Sequence, residues 1–288
     1  MEKLLDEIES YWSTRTEGYS EVNHKELAGT QKNAWLKVLT SQFPDKPKEE
    51  IRILDIGTGP GFFPVILAEA GYHVDAVDYT EGMLEKAKEN AGELCRNIHF
   101  QRMDAQKLEF EDNTFDVVIS RNLTWNLEHP DVAYREWVRV LKVGGKLLNF
   151  DANWYGYLYE EEQRKAYEND RKNVENNSLD DHYLCTDIER MERIALQVPL
   201  SKIRRPEWDV KTLREAGLLG IHTDTEIWKT VWSEEERLNY QSTPMFMVTG
   251  VKPDHFLNLP VVEGEKTEGF LEIGDGEFTL PATIIRGK

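Results

Sequence analysis

The chain of 288 residues predicts an α/β fold, a mostly parallel seven-stranded sheet with packed helices. Three observations predict it. Ile51 to Asp78 reads as an apolar run, a glycine-rich turn, a helix-compatible segment and a second β-type run that closes on Asp78. Asn113 to Ser120 is a near-continuous apolar run, the pattern of a strand covered on both faces. Ile98 to Met103, Lys146 to Phe150, Ile221 to Trp232 and Met245 to Val251 supply the remaining strands, with helical apolar spacing in the segments between most of them.

The turn limits what it can hold. Gly57, Gly59 and Gly61 lack Cβ atoms, so the chain turns sharply and a ligand can approach the backbone. The helix that starts there offers free N–H groups and its dipole to an acceptor-rich or negatively charged group. Asp78 lies about 20 residues beyond, where a carboxylate at a second strand end accepts from both hydroxyls of a ribose. The ligand is therefore expected to contain a nucleoside. The spacing G-T-G-P-G departs from the G-x-G-x-x-G of dinucleotide folds, and Pro64 sits in the first turn of the helix. Asp55, just before the turn, would repel a pyrophosphate and attract an ammonium group. An NAD enzyme is accordingly the least favoured nucleotide reading.

The sequence D-I-G-T-G-P-G resembles motif I of the class I S-adenosylmethionine (SAM)-dependent methyltransferases. The resemblance implies a Rossmann-like core whose last strand is antiparallel, SAM as cofactor, and Asp55 helping to place the methionine part of SAM. It continues in order along the chain. D-Y-T-E-G-M-L, from Asp78 to Leu84, is similar to the family's D-x-T/S-x-x-M-L and implies Met83, or Tyr79, against the adenine. Asp104 and Ala105 resemble the D-A pair, a carboxylate for the exocyclic amine and a backbone N–H for a ring nitrogen. V-L-K-V-G-G-K-L resembles L-K-P-G-G-x-L, with Val143 in place of proline.

Near the N-terminus, Y-W-S-T-R-T-E-G-Y-S resembles the aromatic-rich start of small-molecule methyltransferases related to the ubiquinone and menaquinone biosynthesis enzymes. That implies Tyr19 at the SAM carboxylate, with Tyr11 and Arg15 sharing the work. The residues alone equally suit core aromatics and a solvated arginine. The resemblance covers residues 51–152 specifically and 206–252 loosely.

Residues 1–50 are expected to form a helical cap. Leu4, Leu5, Ile8, Tyr11 and Trp12 at helical spacing predict a first helix that Gly18 ends, and a second is expected from Asn23 to Leu39. Residues 51–152 are the SAM-binding core and 206–253 its remainder, with a helix and its glycine-containing exit expected over 208–220. Thr80 is expected to cap the helix after Asp78. Off the end of the fourth strand, Arg121 and Asn122 are site candidates, with Leu123, Thr124 and Trp125 at a cofactor or substrate wall. Residues 153–205 are expected to be an inserted substrate lid with helices near 160–173 and 186–196. Within it Trp154, Tyr155, Tyr157 and Tyr159 suit an apolar pocket, and Lys202, Arg204 and Arg205 an anionic substrate. Asp181, His182 and Cys185 match no compact metal site. Residues 254–288 are expected to form a C-terminal β-hairpin around Gly274, Asp275 and Gly276.

The net charge of −18, from 53 acidic and 35 basic residues, argues against a nucleic-acid or anionic-membrane partner. No stretch approaches the ~20 apolar residues of a membrane span, and no opening run resembles a signal peptide. Two cysteines make a disulfide framework improbable. A cytoplasmic location is expected, with a homodimer through the lid or the hairpin as a further expectation.

The function implied is SAM-dependent methyl transfer to a small-molecule acceptor, releasing S-adenosylhomocysteine. Asp151 and His129 are the candidate acids or bases, with His182 of the lid as a third. The alternatives are another SAM-derived group transfer, or a SAM- or nucleoside-binding protein without turnover.

Overall fold

In the computed structural model the apolar runs become one sheet. The structure describes residues 4–183, 186–254, 265–272 and 279–286, the last two spans by backbone alone. The strands are β1 (Arg52–Ile56), β2 (His73–Asp78), β3 (Ile98–Arg102), β4 (Phe115–Arg121), β5 (Leu141–Asp151), β6 (Leu219–Asp224) and β7 (Phe246–Val251). They stand in the order β3-β2-β1-β4-β5-β7-β6. β1 to β5 pair in parallel, and β7 runs antiparallel to both neighbours.

Side chains that alternate along a strand explain the two cores. Leu54, Ile56 and Val118 join one buried cluster, and Ile53, Val117 and Ile119 join the other. The helices among the described residues are α1 (Leu4–Ala28), α2 (Gln31–Thr40), α3 (Phe62–Glu69), α4 (Glu81–Ala91), α5 (Pro130–Val140), α6 (Glu161–Asn176), α7 (Ile188–Ala195), α8 (Glu207–Glu215), α9 (Trp228–Val231) and α10 (Glu234–Asn239). α5 and α8 pack on the first cluster, and α2, α3 and α9 on the second. Trp35 of α2 is fully buried, edge-on to Phe63 and Phe150 at 5.1 and 5.0 Å between ring centroids. That packing fixes α2 to the sheet.

Two expectations are corrected. α1 runs through Gly18 and ends at Ala28, and the Gly29 N–H donates to the Lys25 carbonyl. A mid-helix glycine costs only about 1 kcal/mol against alanine, less than the packing of α1 on the core returns. β6 stops at Asp224, and the expected continuation folds into α9 and α10, with Val231 buried on the second cluster. Thr80 holds the N-cap position of α4 as expected, without a side-chain capping bond.

Within residues 153–205, expected to be a lid, lie α6 and α7, close to the expected bounds. Its apolar residues Met191 and Ile194 share a cluster with Ile8 and Tyr11 of α1. Residues 255–288 are a separate unit in which β8 (Glu265–Glu272) pairs antiparallel with β9 (Thr279–Arg286). The expected turn at Gly274 to Gly276, and Cys185, lie outside the described residues. Among the described residues no helix is long and apolar enough to cross a membrane, and no group of three or more metal-ligating side chains is assembled.

Candidate active site

The strand order reverses between β1 and β4, and ligands of open α/β sheets bind outside the carboxyl ends at that point. There the Gly57 and Thr58 N–H groups both donate to the Val77 carbonyl, at 2.8 and 3.0 Å, which folds the loop back against the end of β2. Gly57 and Gly59 have φ of 70° and 53°, where side chains are strained. A Cβ on Gly57 would also stand 2.7 Å from the Leu123 side chain. The Asp78 carboxylate ties the loop down, with Oδ2 accepting from Gly59 N at 2.8 Å and Oδ1 from Thr80 N at 2.9 Å. A carboxylate has about four acceptor sites, so capacity remains for ligand hydroxyls. Burial raises the Asp78 pKa, against the lowering effect of these N–H donors.

Beside this loop lies a cleft of about 830 Å³, open in part to solvent. Of the residues singled out in the sequence, Tyr19, Gly57, Gly59, Asp78, Tyr79, Met83, Asp104, Ala105 and Arg121 line it. Asp104 Oδ1 accepts from the backbone and side chain of Gln106, at 2.9 and 3.1 Å. Leu5, Ile8 and Trp12 of α1 also line the cleft, as does Asn126. Glu9 of α1 pairs with Arg102 at 2.6 Å, and that guanidinium lies 4.9 Å from the centre of the Tyr79 ring, joining α1 to the rim.

A smaller cavity adjoins the loop, bounded by Asn23, Asp55, Tyr19 and Arg121. Asp55 is buried, and desolvation pushes its pKa up to about 7. Asn23 Oδ1 is buried without a hydrogen-bond partner among the described residues. Arg121 donates to both carboxylate oxygens of Glu26, at 2.7 and 3.0 Å, and lies 4.7 Å from the centre of the Phe62 ring. Burial would lower the Arg121 pKa, but Glu26 outweighs it and holds the group above its usual range.

A second chamber of about 650 Å³ shares Trp12, Tyr19 and Asn122 with the cleft. Trp125, Trp154 and Tyr155 line it, as does His182. His182 Nδ1 lies 2.9 Å from the Tyr240 hydroxyl and Nε2 3.0 Å from Glu235 Oε1.

The other candidates lie away from the cleft. Asp151 is fully buried and pairs with Arg205 at 2.6 Å. Its oxygens also accept from Trp125 N, Ala152 N and Trp154 Nε1, so it has become a structural hub. Arg205, expected to meet substrate, is held there by Asp151 and Asp209. His129 is exposed at the start of α5 and lines neither cavity. Tyr11 and Arg15 line the second chamber instead of the cleft. Tyr157 stacks on Tyr167, and Tyr159, Lys202 and Arg204 are exposed.

Asn23, Glu26, Asn126 and Tyr240 are functional candidates that the sequence did not single out. Asn23 and Glu26 follow Tyr19 at helical spacing, a signal that becomes available once α1 is read as continuous. Tyr240 has no local signal, because α10 follows a segment that reads as strand. Together Asp55, Asp78, Asp104 and the orphaned Asn23 Oδ1 make an acceptor-rich lining. That fits a nucleoside joined to a cationic amino-acid group better than a pyrophosphate.

Comparison with known proteins agrees with this geometry. Residues 54–149 match the family model described as a methyltransferase domain. A demethylmenaquinone methyltransferase of Clavibacter sepedonicus is 39% identical over 97 residues, covering 34% of this chain and 39% of the relative. A ubiquinone biosynthesis O-methyltransferase of Coxiella burnetii is 30% identical over 126 residues, covering 43% and 53%. The chain spans about half the length of the curated relatives it matches. A phosphoethanolamine N-methyltransferase of Haemonchus contortus, solved with S-adenosyl-L-methionine, shares the fold at 20% identity and a TM-score of 0.56, over 77% of this chain and 53% of that one.

Proposed function

We propose that this chain, which carries a class I SAM-dependent methyltransferase domain with SAM as its cofactor, methylates a small-molecule acceptor bound in the aromatic chamber. The observation that carries the reading is the wall of Trp12, Tyr19 and Asn122 common to cleft and chamber. Two bound molecules would meet at that wall.

When bound, SAM supplies an electrophilic sulfonium methyl. Asp78 would hold the ribose hydroxyls, Asp104 and the Ala105 N–H the adenine edge, and Asp55 with Asn23 the ammonium group. α1 and the lid would exclude water and fix the approach, and alignment of this kind can lower a barrier by several kcal/mol. An acceptor with a protonated nucleophile also needs a base. With Nε2–H donating to Glu235, His182 Nδ1 accepts from the Tyr240 hydroxyl. The Tyr240 oxygen can then take the acceptor's proton as it passes its own to His182.

Calorimetric titration with SAM, S-adenosylhomocysteine and NADH in parallel tests the cofactor assignment. Micromolar binding of the first two and none of NADH is expected. Failure of both adenosyl ligands on folded protein would overturn it.

A further inference from the structure

We infer that the second chamber takes a flat, apolar acceptor bearing a carboxylate, and that Arg15 is its anchor. The inference rests on the chamber being the acceptor site proposed above.

Eight of the twelve residues lining the chamber are aromatic. Trp125 and Tyr155 lie 5.0 Å apart between ring centroids, and Trp154 meets Tyr240 at 5.2 Å. Such walls suit a flat ring, which they can contact by offset or edge-on stacking.

The charge of the lining runs against that of the chain. The protein carries a net charge of −18, yet no aspartate or glutamate lines this chamber among the described residues, while Arg15 does. Arg15 makes no ion pair or side-chain hydrogen bond among the described residues, although it is only part-exposed. The part-buried Arg121, Arg139 and Arg171, and the buried Arg205, each hold a carboxylate, while the part-buried Arg190 and Arg237 each donate to a neutral oxygen, Ser10 Oγ and the Lys229 carbonyl. A guanidinium without such a partner, at an aromatic chamber, is a ready bidentate donor for an oxyanion.

Gly18 is the neighbour of the Arg15 guanidinium on α1. It stands one turn along α1, and a Cβ there would lie 3.5 Å from Arg15 Nη1. That is ordinary van der Waals distance, so the guanidinium lies against the bare glycine, and a side chain longer than alanine's would press on it.

The test uses protein saturated with S-adenosylhomocysteine and titrated with benzoate or benzamide, followed by tryptophan fluorescence. Benzoate is expected to bind about tenfold tighter than the amide, the scale of a hydrogen bond to a charged group. Arg15→Ala should abolish that preference while leaving S-adenosylhomocysteine affinity unchanged, Arg15→Lys should keep part of it, and Gly18→Leu should weaken the acid more than the amide. Equal affinity for acid and amide, or no binding of either, would overturn the inference. So would an Arg15→Ala protein that keeps the acid preference, or one that loses S-adenosylhomocysteine, which would give Arg15 to the cofactor. Failure of the wild type to bind S-adenosylhomocysteine would instead strike the underlying methyltransferase reading.

Discussion

The Arg121 guanidinium grips the Glu26 carboxylate through two hydrogen bonds, of 2.7 and 3.0 Å, with both side chains largely buried. One pair therefore joins the end of β4 to α1, the helix that covers the cleft. Removing one partner of a buried pair leaves an uncompensated charge and costs about 3–5 kcal/mol. Glu26→Ala should lower unfolding stability on that scale and loosen the helix over the cleft. Denaturant unfolding checks it, and a change below about 1 kcal/mol would contradict a coupling role for the pair.

Asp78 fixes the loop and keeps acceptor capacity for ligand hydroxyls. Asp78→Ala should weaken S-adenosylhomocysteine binding about tenfold or more, from the loss of charge-assisted hydrogen bonds. Calorimetry on folded variant protein reads this directly, and unaltered affinity would mean that the ribose lies elsewhere.

Asp55 gives a pH dependence with a defined sign. Its folded pKa, about 7, is raised above the ordinary carboxylate value. Its contribution to stability is therefore fully present at low pH and is lost as pH rises from the usual carboxylate range to about 7. Binding behaves oppositely, because an ammonium group needs the ionised form. SAM affinity should fall as pH drops below about 7, approaching tenfold per unit. In Asp55→Asn that slope should disappear, and calorimetry across the range would show it.

Asp151 and His129 separate a structural acid from an exposed histidine. Asp151→Ala should destabilise the fold by about 3–5 kcal/mol, because it strips the buried Arg205 of one of its two carboxylates. His129→Ala should change stability by no more than about 0.5 kcal/mol. Parallel unfolding curves compare the two, and a stable Asp151→Ala protein would contradict the hub.

The sheet is legible because buried parallel strands need apolar runs and sharp turns need glycines, as from Ile53 to Gly61. The place of Asp78, Met83 and Asp104 at the cleft is legible for a related reason: residues at and just beyond strand ends sit at fixed offsets from those runs. Asp151 misleads because a carboxylate at a strand end reads the same whether it faces a ligand or an arginine 54 positions on. Gly18 misleads because glycine commonly marks a helix end, whereas here it lies inside α1. The second chamber draws on α1, the stretch 154–186 and Tyr240 after α10 together, and no local pattern encodes such a meeting.

Methyl transfer itself is decided by incubation with SAM carrying a trideuterated methyl group, in the presence of a pool of small aromatic acids. Mass spectrometry should find the label on one acid of the pool, with S-adenosylhomocysteine formed in equal amount. SAM that binds but remains unconsumed across broad acceptor pools would contradict methyl transfer and favour a binding protein.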